Sequence, residues 1–291
     1  MFDIKKHIKA NSVDQAIALL QENPNARLIA GGTDVLIKLR DGKPGFSELV
    51  DIHGLEELKM IRKDKENNII IGSGATFIDI IQSNIIKENL SMLCEAAASV
   101  GGPQVRNVAT IGGNVCNGVT SADSASTLFA LNAVLEIKGD KMTRQVPVSE
   151  FYLGPGKVDL KKGEILTEFK ITYENHGGYF GHYYKYAMRD AMDIATIGCA
   201  VNLKTKDHIL TDFRIAFGVA GPVPLRCPKT ESTVMNQKVS EDLLDKIYQT
   251  IEIDVNPRTS WRASREFRMN LIKELSKRAT KEALLRAGEE V

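Results

Sequence analysis

Apolar residues recur along the first half of the chain at spacings that predict alternating helices and strands. Apolar positions between Val13 and Leu20 share one helical face, behind a capping box of Ser12 and Gln15. Further helices are predicted at 76–83, around 92–97 and at 124–131. Short apolar runs bounded by turn residues are typical of buried strands, and they occur at 27–30, 48–52, 68–71, 134–137 and 165–173. This alternation predicts a mixed α+β or α/β domain.

The second half of the chain has a different pattern, and the composition changes at residues 174–178, Glu-Asn-His-Gly-Gly. Three long strands are predicted beyond that point, at 179–186, 194–203 and 209–219. Two amphipathic helices follow, at 240–253 and 264–287. We therefore expect two domains, residues 1–175 and 176–291. The second is expected to be a three-stranded antiparallel sheet with helices packed on one side.

Charge and composition exclude several classes of partner. The chain of 291 residues has 38 Lys and Arg against 37 Asp and Glu, so its formal net charge is +1. Both signs are interspersed along the chain, which favours neither nucleic acid nor an anionic membrane surface. No stretch has the roughly 18 apolar residues of a spanning helix, and the first residues lack the apolar segment of a signal peptide. A soluble cytoplasmic protein is expected.

The cysteines and histidines show no spacing that is typical of a metal site. Cys94, Cys116, Cys199 and Cys227 lie too far apart for a C-x-x-C pair, so neither zinc nor an iron–sulfur cluster is expected on this chain. The five histidines form no H-E-x-x-H sequence and no i, i+4 pair. We interpret the cysteines as free thiols in a reducing compartment.

Two glycine pairs are the strongest candidates for binding chemistry. They occur in Gly31-Gly32-Thr33-Asp34 and in Gly112-Gly113-Asn114. Successive glycines allow positive φ and can direct backbone N–H groups toward phosphate oxygens, and a diphosphate suits two such loops. Ordinary turns are the alternative interpretation, since glycine is common in loops. The chain has no G-x-G-x-x-G opening a helix and no P-loop sequence, so a Rossmann site is not supported.

Several charged residues allow two interpretations each. Asp123 could simply cap a helix that begins at 123–124. Arg189, Asp190 and Asp193 interrupt an apolar and aromatic segment, where they could form a surface ion-pair set or one wall of a ligand site. From the residues alone, the chain is a two-domain protein that could hold a dinucleotide between two glycine loops.

Residues 28–34 (LIAGGTD) and 107–114 (NVATIGGN) together resemble the FAD-binding subunits of the molybdenum hydroxylases, the xanthine dehydrogenase family. The resemblance continues through 121–124, 185–195 and 260–268, covers nearly the whole chain, and looks closest to the separate flavin subunits of the bacterial enzymes. It implies a two-part FAD-binding domain of the vanillyl-alcohol oxidase or p-cresol methylhydroxylase type in residues 1–175. It further implies, in residues 176–291, the small α+β domain found in carbon monoxide dehydrogenase and xanthine dehydrogenase flavoproteins.

The resemblance also implies a set of residues around FAD and no catalytic or metal-binding side chain. Lys185 matches a lysine that contacts the cofactor, and a fixed cation there would favour negative charge on the reduced flavin. Arg189 and Asp193 lie where the family has charged groups near the flavin, without an assigned task. The cofactor-binding residues implied are Leu28, Ile29, Ala30, Gly31, Gly32, Thr33, Asp34, Val100, Gly101, Thr110, Gly112, Gly113, Asn114, Asp123, Ile165, Leu166 and Lys185.

The implied activity is that of an FAD-dependent oxidoreductase subunit. Electrons would come from a [2Fe-2S] partner and pass to NAD⁺, while a molybdenum-cofactor subunit would hydroxylate a purine such as xanthine or hypoxanthine. A nicotinate or carbon monoxide dehydrogenase flavin subunit with another electron acceptor is the alternative within the family. Relatives that reduce aromatic coenzyme A esters are disfavoured, because this chain lacks the cysteines for their additional cluster. A non-redox scaffold with structural glycine loops is the alternative outside it.

Overall fold

The first part of the fold is a small parallel sheet with two helices. The computed structural model describes residues 3–291. Its first elements, in chain order, are β1 (Lys6–Lys9), α1 (Val13–Glu22), β2 (Arg27–Ile29), α2 (Val35–Arg40) and β3 (Glu48–Asp51). The strand order is β1-β3-β2 and both pairings are parallel. Ser12 caps α1 by accepting a hydrogen bond from the Gln15 N–H, as its sequence predicts.

The second part is a five-stranded antiparallel sheet covered by helices. The sheet order is β4-β5-β10-β6-β7. The Gly72 end of β5 leads, through residues 73–76, into the helices. After a 3₁₀ turn at Glu56–Leu58, the elements are β4 (Ile61–Lys63), β5 (Ile69–Gly72), α3 (Phe77–Gln82), α4 (Asn84–Asn89), α5 (Ser91–Ser99), α6 (Pro103–Arg106), α7 (Ile111–Cys116), α8 (Asp123–Ala130), β6 (Val134–Lys138), β7 (Thr143–Pro147), α9 (Val148–Phe151), β8 (Tyr152–Gly154), β9 (Lys157–Val158) and β10 (Ile165–Ile171).

The third part is an antiparallel sheet followed by helices. The three predicted strands are present, and a fourth strand of two residues extends the sheet in the order β11-β12-β13-β14. The sequence gives little signal for that strand because it is so short. The elements are α10 (Tyr173–His176), β11 (Phe180–Tyr186), β12 (Ile197–Lys206), β13 (Ile209–Gly218), β14 (Leu225–Arg226), α11 (Pro228–Val234), α12 (Glu241–Thr250), a 3₁₀ turn at Ile251–Ile253 and α13 (Arg265–Arg286).

Both faces of the third sheet are covered: the helices of the second domain pack on one side, as expected, and the first domain covers the other. One face packs with α12 and α13, where alternate residues of β12 such as Cys199 and Val201 join a core with Ile247 and Ile272. The other face packs on the second part of the fold, since Tyr183, Ala200 and Ala216 belong to its core. The helices of the first domain therefore complete the second domain, which explains why β12 is buried over most of its length.

The two domains are also joined by polar contacts. Glu95 of α5 accepts a hydrogen bond from the Tyr183 N–H at 2.9 Å and pairs with Arg286 of α13 at 2.5 Å. Thr120 and Val219 are joined through the Val219 N–H and the Thr120 carbonyl, at 3.1 Å. Within residues 3–291, no helix has both the length and the apolar composition needed to cross a membrane.

Candidate functional site

A cleft of about 1320 Å³ lies where the first part of the fold meets the second. It exceeds the roughly 300–1,000 Å³ of most small-molecule sites, so it suits a long ligand such as a dinucleotide. Four regions of the chain line it: the N-terminal parallel sheet with its loops, residues 73–77, residues 100–117 and residues 153–166. The site therefore forms only when the two parts of the first domain pack together.

The first glycine loop connects β2 to α2 and presents backbone donors. Gly32 has φ +73°, and its carbonyl accepts the first hydrogen bond of the turn, from the Leu36 N–H at 2.9 Å. Thr33, Asp34 and Val35 come before Leu36 in the chain, so their N–H groups have no acceptor within the helix. Residues 31–35 line the cleft, so this loop forms part of its wall. Phosphate binding by its N–H groups stays a prediction.

The second glycine pair is part of a helix, and the predicted positive-φ turn is wrong at this position. Neither Gly112 nor Gly113 has a positive φ, and both belong to α7, which Thr110 caps. Their N–H groups are already paired: Gly112 donates to the Ser73 carbonyl at 2.8 Å, and Gly113 donates to the Thr110 hydroxyl at 3.1 Å. This loop therefore offers the cleft a wall without bulky side chains, rather than a second set of free backbone donors.

Close backbone packing is the reason for glycine at two of these positions. A Cβ atom on Gly31 would lie 1.8 Å from the Val108 carbonyl oxygen, and one on Gly112 would lie 2.6 Å from Ser73. The first contact joins the two glycine loops to each other, and the second fixes α7 against the end of β5. Because Gly31 and Gly112 have no side chains, both loops can pack closely enough to line the same cleft.

Basic side chains outnumber acidic ones in the cleft lining, which suits a ligand with a diphosphate group. Arg27 and Lys38 lie over the ring of Phe46, at 4.8 and 5.5 Å from its centroid, and Lys38 donates to Asn117 at 2.7 Å. The sequence did not identify these residues, because isolated basic residues in loops carry no distinctive pattern. The basic residues of the lining are Lys5, Arg27, Lys38, Lys59, Lys157, Lys161 and Lys162, and the acidic ones are Asp34, Glu48 and Glu164.

Glu164 is held in a charge network beside the cleft. Arg144 donates to its carboxylate at 2.7 and 2.9 Å and to Asp159 at 2.6 Å. The hydrogen bond from Arg144 holds the pKa of the Glu164 carboxyl below its usual range. Cys116 also lines the cleft, but burial raises the pKa of its thiol to about 12. The thiol is therefore neutral near pH 7 and is not an activated nucleophile.

Most of the residues predicted around FAD line this cleft, and four do not. The Ile29 side chain packs beside Gly32, while Gly101, with φ +48°, follows the lining residue Val100. Asp123 and Lys185 lie together between the two domains. The predicted residues in the lining are Leu28, Ala30, Gly31, Gly32, Thr33, Asp34, Val100, Thr110, Gly112, Gly113, Asn114, Ile165 and Leu166.

Asp123 and Lys185 form a buried ion pair that links α8 to β11. The Lys185 Nζ donates to Asp123 at 2.9 Å and to the Ser99 carbonyl at 2.9 Å, and the Tyr183 hydroxyl donates to the other carboxylate oxygen at 2.8 Å. Burial raises the pKa of Asp123, while Lys185 and Tyr183 oppose that shift by stabilising the carboxylate. Asp123 therefore compensates much of the Lys185 charge.

Arg189 and Asp193 stabilise the loop between β11 and β12. The Asp193 carboxylate accepts hydrogen bonds from the N–H groups of Met188 and Arg189, and the two side chains pair at 3.6 Å. These contacts fit the surface ion-pair interpretation; neither residue, nor Asp190, lines the cleft. In the part of the chain that the structure describes, no three His, Cys, Asp or Glu residues are grouped as a metal site.

Comparisons with known proteins cover both domains. Residues 2–172 match the family model "FAD binding domain in molybdopterin dehydrogenase", and residues 182–283 match "CO dehydrogenase flavoprotein C-terminal domain". The chain is 45% identical to the xanthine dehydrogenase FAD-binding subunit of Escherichia coli O157:H7, over 99% of each chain. It is 31% identical to the glyceraldehyde dehydrogenase medium chain of Sulfolobus acidocaldarius, over 95% of this chain and 97% of that relative.

Among solved structures, carbon monoxide dehydrogenase from Hydrogenophaga pseudoflava contains a chain of similar fold. It superposes with a TM-score of 0.93 at 27% identity, covering 98% of this chain and 99% of that one. The similarity covers nearly the whole chain and therefore includes both domains.

Proposed function

The chain belongs to the FAD-binding subunits of the molybdopterin dehydrogenases, and on that premise we propose that it takes electrons from a [2Fe-2S] partner subunit and reduces NAD⁺. It is a flavin-binding medium subunit of a molybdenum hydroxylase of the xanthine dehydrogenase type. Hydroxylation of a purine, xanthine or hypoxanthine, is assigned in this proposal to a partner subunit with the molybdenum cofactor. The 45% identity to a xanthine dehydrogenase subunit over nearly the whole of both chains carries the proposal.

The cleft fits FAD in its volume, its backbone donors and its charge. A side chain on Gly31 would force the two glycine loops apart, and one on Gly112 would push α7 away from Ser73. The N–H groups of Thr33, Asp34 and Val35 would serve as donors at the wall. When bound, FAD supplies redox chemistry that exchanges electrons singly or as a hydride. The residues of this chain therefore need to bind and orient the cofactor and to exclude water, without acting as acid or base.

We assign two tasks to the residues that line the cleft. The loop of residues 28–34 would hold the diphosphate through backbone N–H groups, with Arg27 and Lys38 supplying positive charge nearby. Apolar side chains of Val100, Ile165 and Leu166 would cover the ring systems and keep water from them. Lys185 is proposed to act on the cofactor from behind the cleft, as part of its pair with Asp123.

The acceptor can be tested with the whole complex. We expect that the complex, reduced with xanthine under anaerobic conditions and mixed with NAD⁺ in a stopped-flow instrument, forms NADH as the flavin absorption returns. A reduced flavin that is stable toward NAD⁺ but is rapidly oxidised by a quinone would contradict NAD⁺ as the acceptor. It would favour the alternative in which a related hydroxylase passes electrons to another carrier.

The substrate class is tested in the same experiment. Xanthine and hypoxanthine are expected to reduce the flavin, while nicotinate, as the control substrate, is not. Reduction by nicotinate alone would replace the purine assignment and leave the role of this subunit unchanged. A complex that lacks the flavin spectrum, and gains none on addition of FAD, would contradict the cofactor site itself.

A further inference from the structure

One end of the second domain exposes aromatic side chains beside an arginine that is fully buried. We call this surface the arginine–aromatic face and define it as Tyr186, Trp261, Arg262, Phe267 and Arg268. Trp261 is 78% exposed, Phe267 44% and Tyr186 39%. The rings of Tyr186 and Phe267 pack at 6.0 Å, and the Arg262 guanidinium lies 4.2 Å from the Trp261 ring centroid. Clustered exposed aromatic residues with arginine are typical of protein interfaces.

Arg268 is buried at this face without an acidic partner. It is 2% exposed, and its guanidinium donates to the Thr196 carbonyl and, at 2.8 Å, to the Ser260 hydroxyl. Among residues 3–291, no salt bridge involves Arg268 or Arg262. Burial of a cation without a counterion is unfavourable, so the isolated chain bears an electrostatic cost here.

Buried polar atoms without hydrogen-bond partners are concentrated at the same place. Three of the five lie at the arginine–aromatic face: two belong to Arg262 and Arg268, and the third to Thr196, whose carbonyl Arg268 contacts. Of the other two, His182 Nδ1 lies 3.0 Å from the Glu95 carboxylate. A buried donor without a partner loses its hydrogen bond to water and gains none in return. Within residues 3–291, neither arginine of this group forms a salt bridge with a carboxylate. In the described part of the chain these atoms are Tyr152 OH, His182 Nδ1, Thr196 Oγ1, Arg262 Nε and Arg268 Nε.

The charge of the surrounding segment indicates which kind of partner fits. Residues 256–268 contain four arginines and one glutamate. Burial lowers the pKa of the Arg268 guanidinium, and the nearby charges of Arg258 and Arg262 lower it further. A second copy of this chain would bring two such basic segments together across a twofold axis, where they would repel each other. A different protein with an acidic contact surface is the complementary occupant.

We propose that the arginine–aromatic face docks another subunit of the complex, one that places a carboxylate against Arg258 and Arg262 and covers Trp261 with apolar side chains. The partner's carboxylate would offset the Arg268 charge behind them. This inference rests on the proposed function, in that the chain works within a complex of different subunits.

The test compares two double variants of the full chain, each co-produced with its molybdenum and iron–sulfur subunits. Trp261→Ala with Arg262→Glu alters the face. Met142→Ala with Lys141→Glu alters an exposed apolar and basic pair in the turn between β6 and β7, where Met142 is 62% exposed. We expect the first variant to raise the dissociation constant of the complex about 30-fold or more, as loss of an interface hot spot does. The control should stay within about threefold.

Additional measurements make each outcome informative. By itself, the chain with the altered face should bind as much FAD as the control variant and unfold at no lower temperature, because Trp261 is exposed and Arg262 has no acidic partner among the described residues to lose. Raising the salt concentration should weaken the wild-type complex more than the Trp261→Ala, Arg262→Glu complex, since the partner's carboxylate pairs with Arg262.

Three results would overturn the docking proposal: equal dissociation constants for both variants, a wild-type chain that purifies without partner subunits, or a homodimer that dissociates on mutation of this face. Failure of the proposed function is distinguishable, because an intact wild-type complex that does not reduce NAD⁺ leaves the docking comparison valid.

Discussion

At Gly31 the backbone of the first glycine loop lies against the Val108 carbonyl, with no room for a Cβ atom between them. Gly112 makes the same kind of contact with Ser73. Because these two residues have no side chain, each allows two segments that are distant in sequence to pack together at the cleft. Gly32 acts differently, since its positive φ turns the chain into α2.

Replacing Gly31 by alanine should therefore reduce FAD affinity. With the backbone unchanged, the new Cβ would lie 1.8 Å from the Val108 carbonyl oxygen, so the two loops must move apart. The residues of both loops that are proposed to contact FAD would then be displaced. We expect FAD binding to weaken about 10-fold or more, as loss of 1.4 kcal/mol or more would do. Gly139→Ala is the matched control, because its Cβ would meet Glu164 at 3.5 Å, an ordinary contact. Equal FAD affinity of the two variants by titration calorimetry would contradict the role assigned to the contact.

Loss of the Lys185 charge is expected to lower the stability of the folded protein. In Lys185→Met the Asp123 carboxylate remains buried without its cation, which should lower the free energy of unfolding by about 3–5 kcal/mol in chemical denaturation. The double variant with Asp123→Asn should recover much of that loss, since no isolated charge is then buried. If stability returns while the flavin reduction potential stays shifted, a direct effect of Lys185 on the cofactor is supported. A loss below about 1 kcal/mol in the single variant would contradict the buried-pair interpretation.

At the scale of elements, local signals were sufficient where a segment has its own cap and apolar face. The sequence predicted α1, with its cap at Ser12, and α3, where Thr76 and Asp79 form the capping box. It predicted a turn where α7 forms, because two adjacent glycines disfavour a helix. The helix forms there because the Ile111 and Gly112 N–H groups bond to Ala75 and Ser73. Those contacts come from a distant segment and outweigh local propensity.

The segment that joins β9 to β10 is held by charge and should be sensitive to acid. The pKa of Glu164 is lowered in the folded protein, so its contribution to stability is complete above the unfolded value of about 4.3 and is lost as pH falls through the folded value. Glu164→Gln should cost about 1–3 kcal/mol near pH 7 and progressively less below pH 4, in thermal unfolding followed across pH. Glu150→Gln, at an exposed position of α9, is the control. A cost that does not depend on pH would contradict the assignment.

At the scale of the whole molecule, the second domain depends on the first for part of its core. Tyr183, Ala200 and Ala216 lie on the sheet face that packs against α5 and α8, and the pairs Glu95–Arg286 and Asp123–Lys185 cross the same boundary. The two family models match separate stretches of the sequence, residues 2–172 and 182–283. In the folded protein, however, the second domain would expose an apolar sheet face if it were separated from the first.

A fragment of residues 177–291 should therefore not behave as a stable monomer. We expect it to self-associate in analytical ultracentrifugation and to bind an apolar dye, because the sheet face that carries Tyr183, Ala200 and Ala216 becomes exposed. The full chain, at the same concentration, is the control. A monodisperse fragment that unfolds cooperatively at the temperature of the full chain would show that the second domain does not need the first to complete its core.

The sequence by itself determined the helices with local caps, the long strands, both glycine pairs and, through its resemblance, the family and the cofactor. These depend on short-range periodicity and on residues that stand close together in the chain. Only the tertiary structure decided that the Gly112 pair lies in a helix with its N–H groups engaged, that Lys185 pairs with Asp123 between the domains, and that Arg268 is buried without an acidic partner among the described residues. Each of these depends on a contact between distant segments, and such contacts are set by packing of the whole chain.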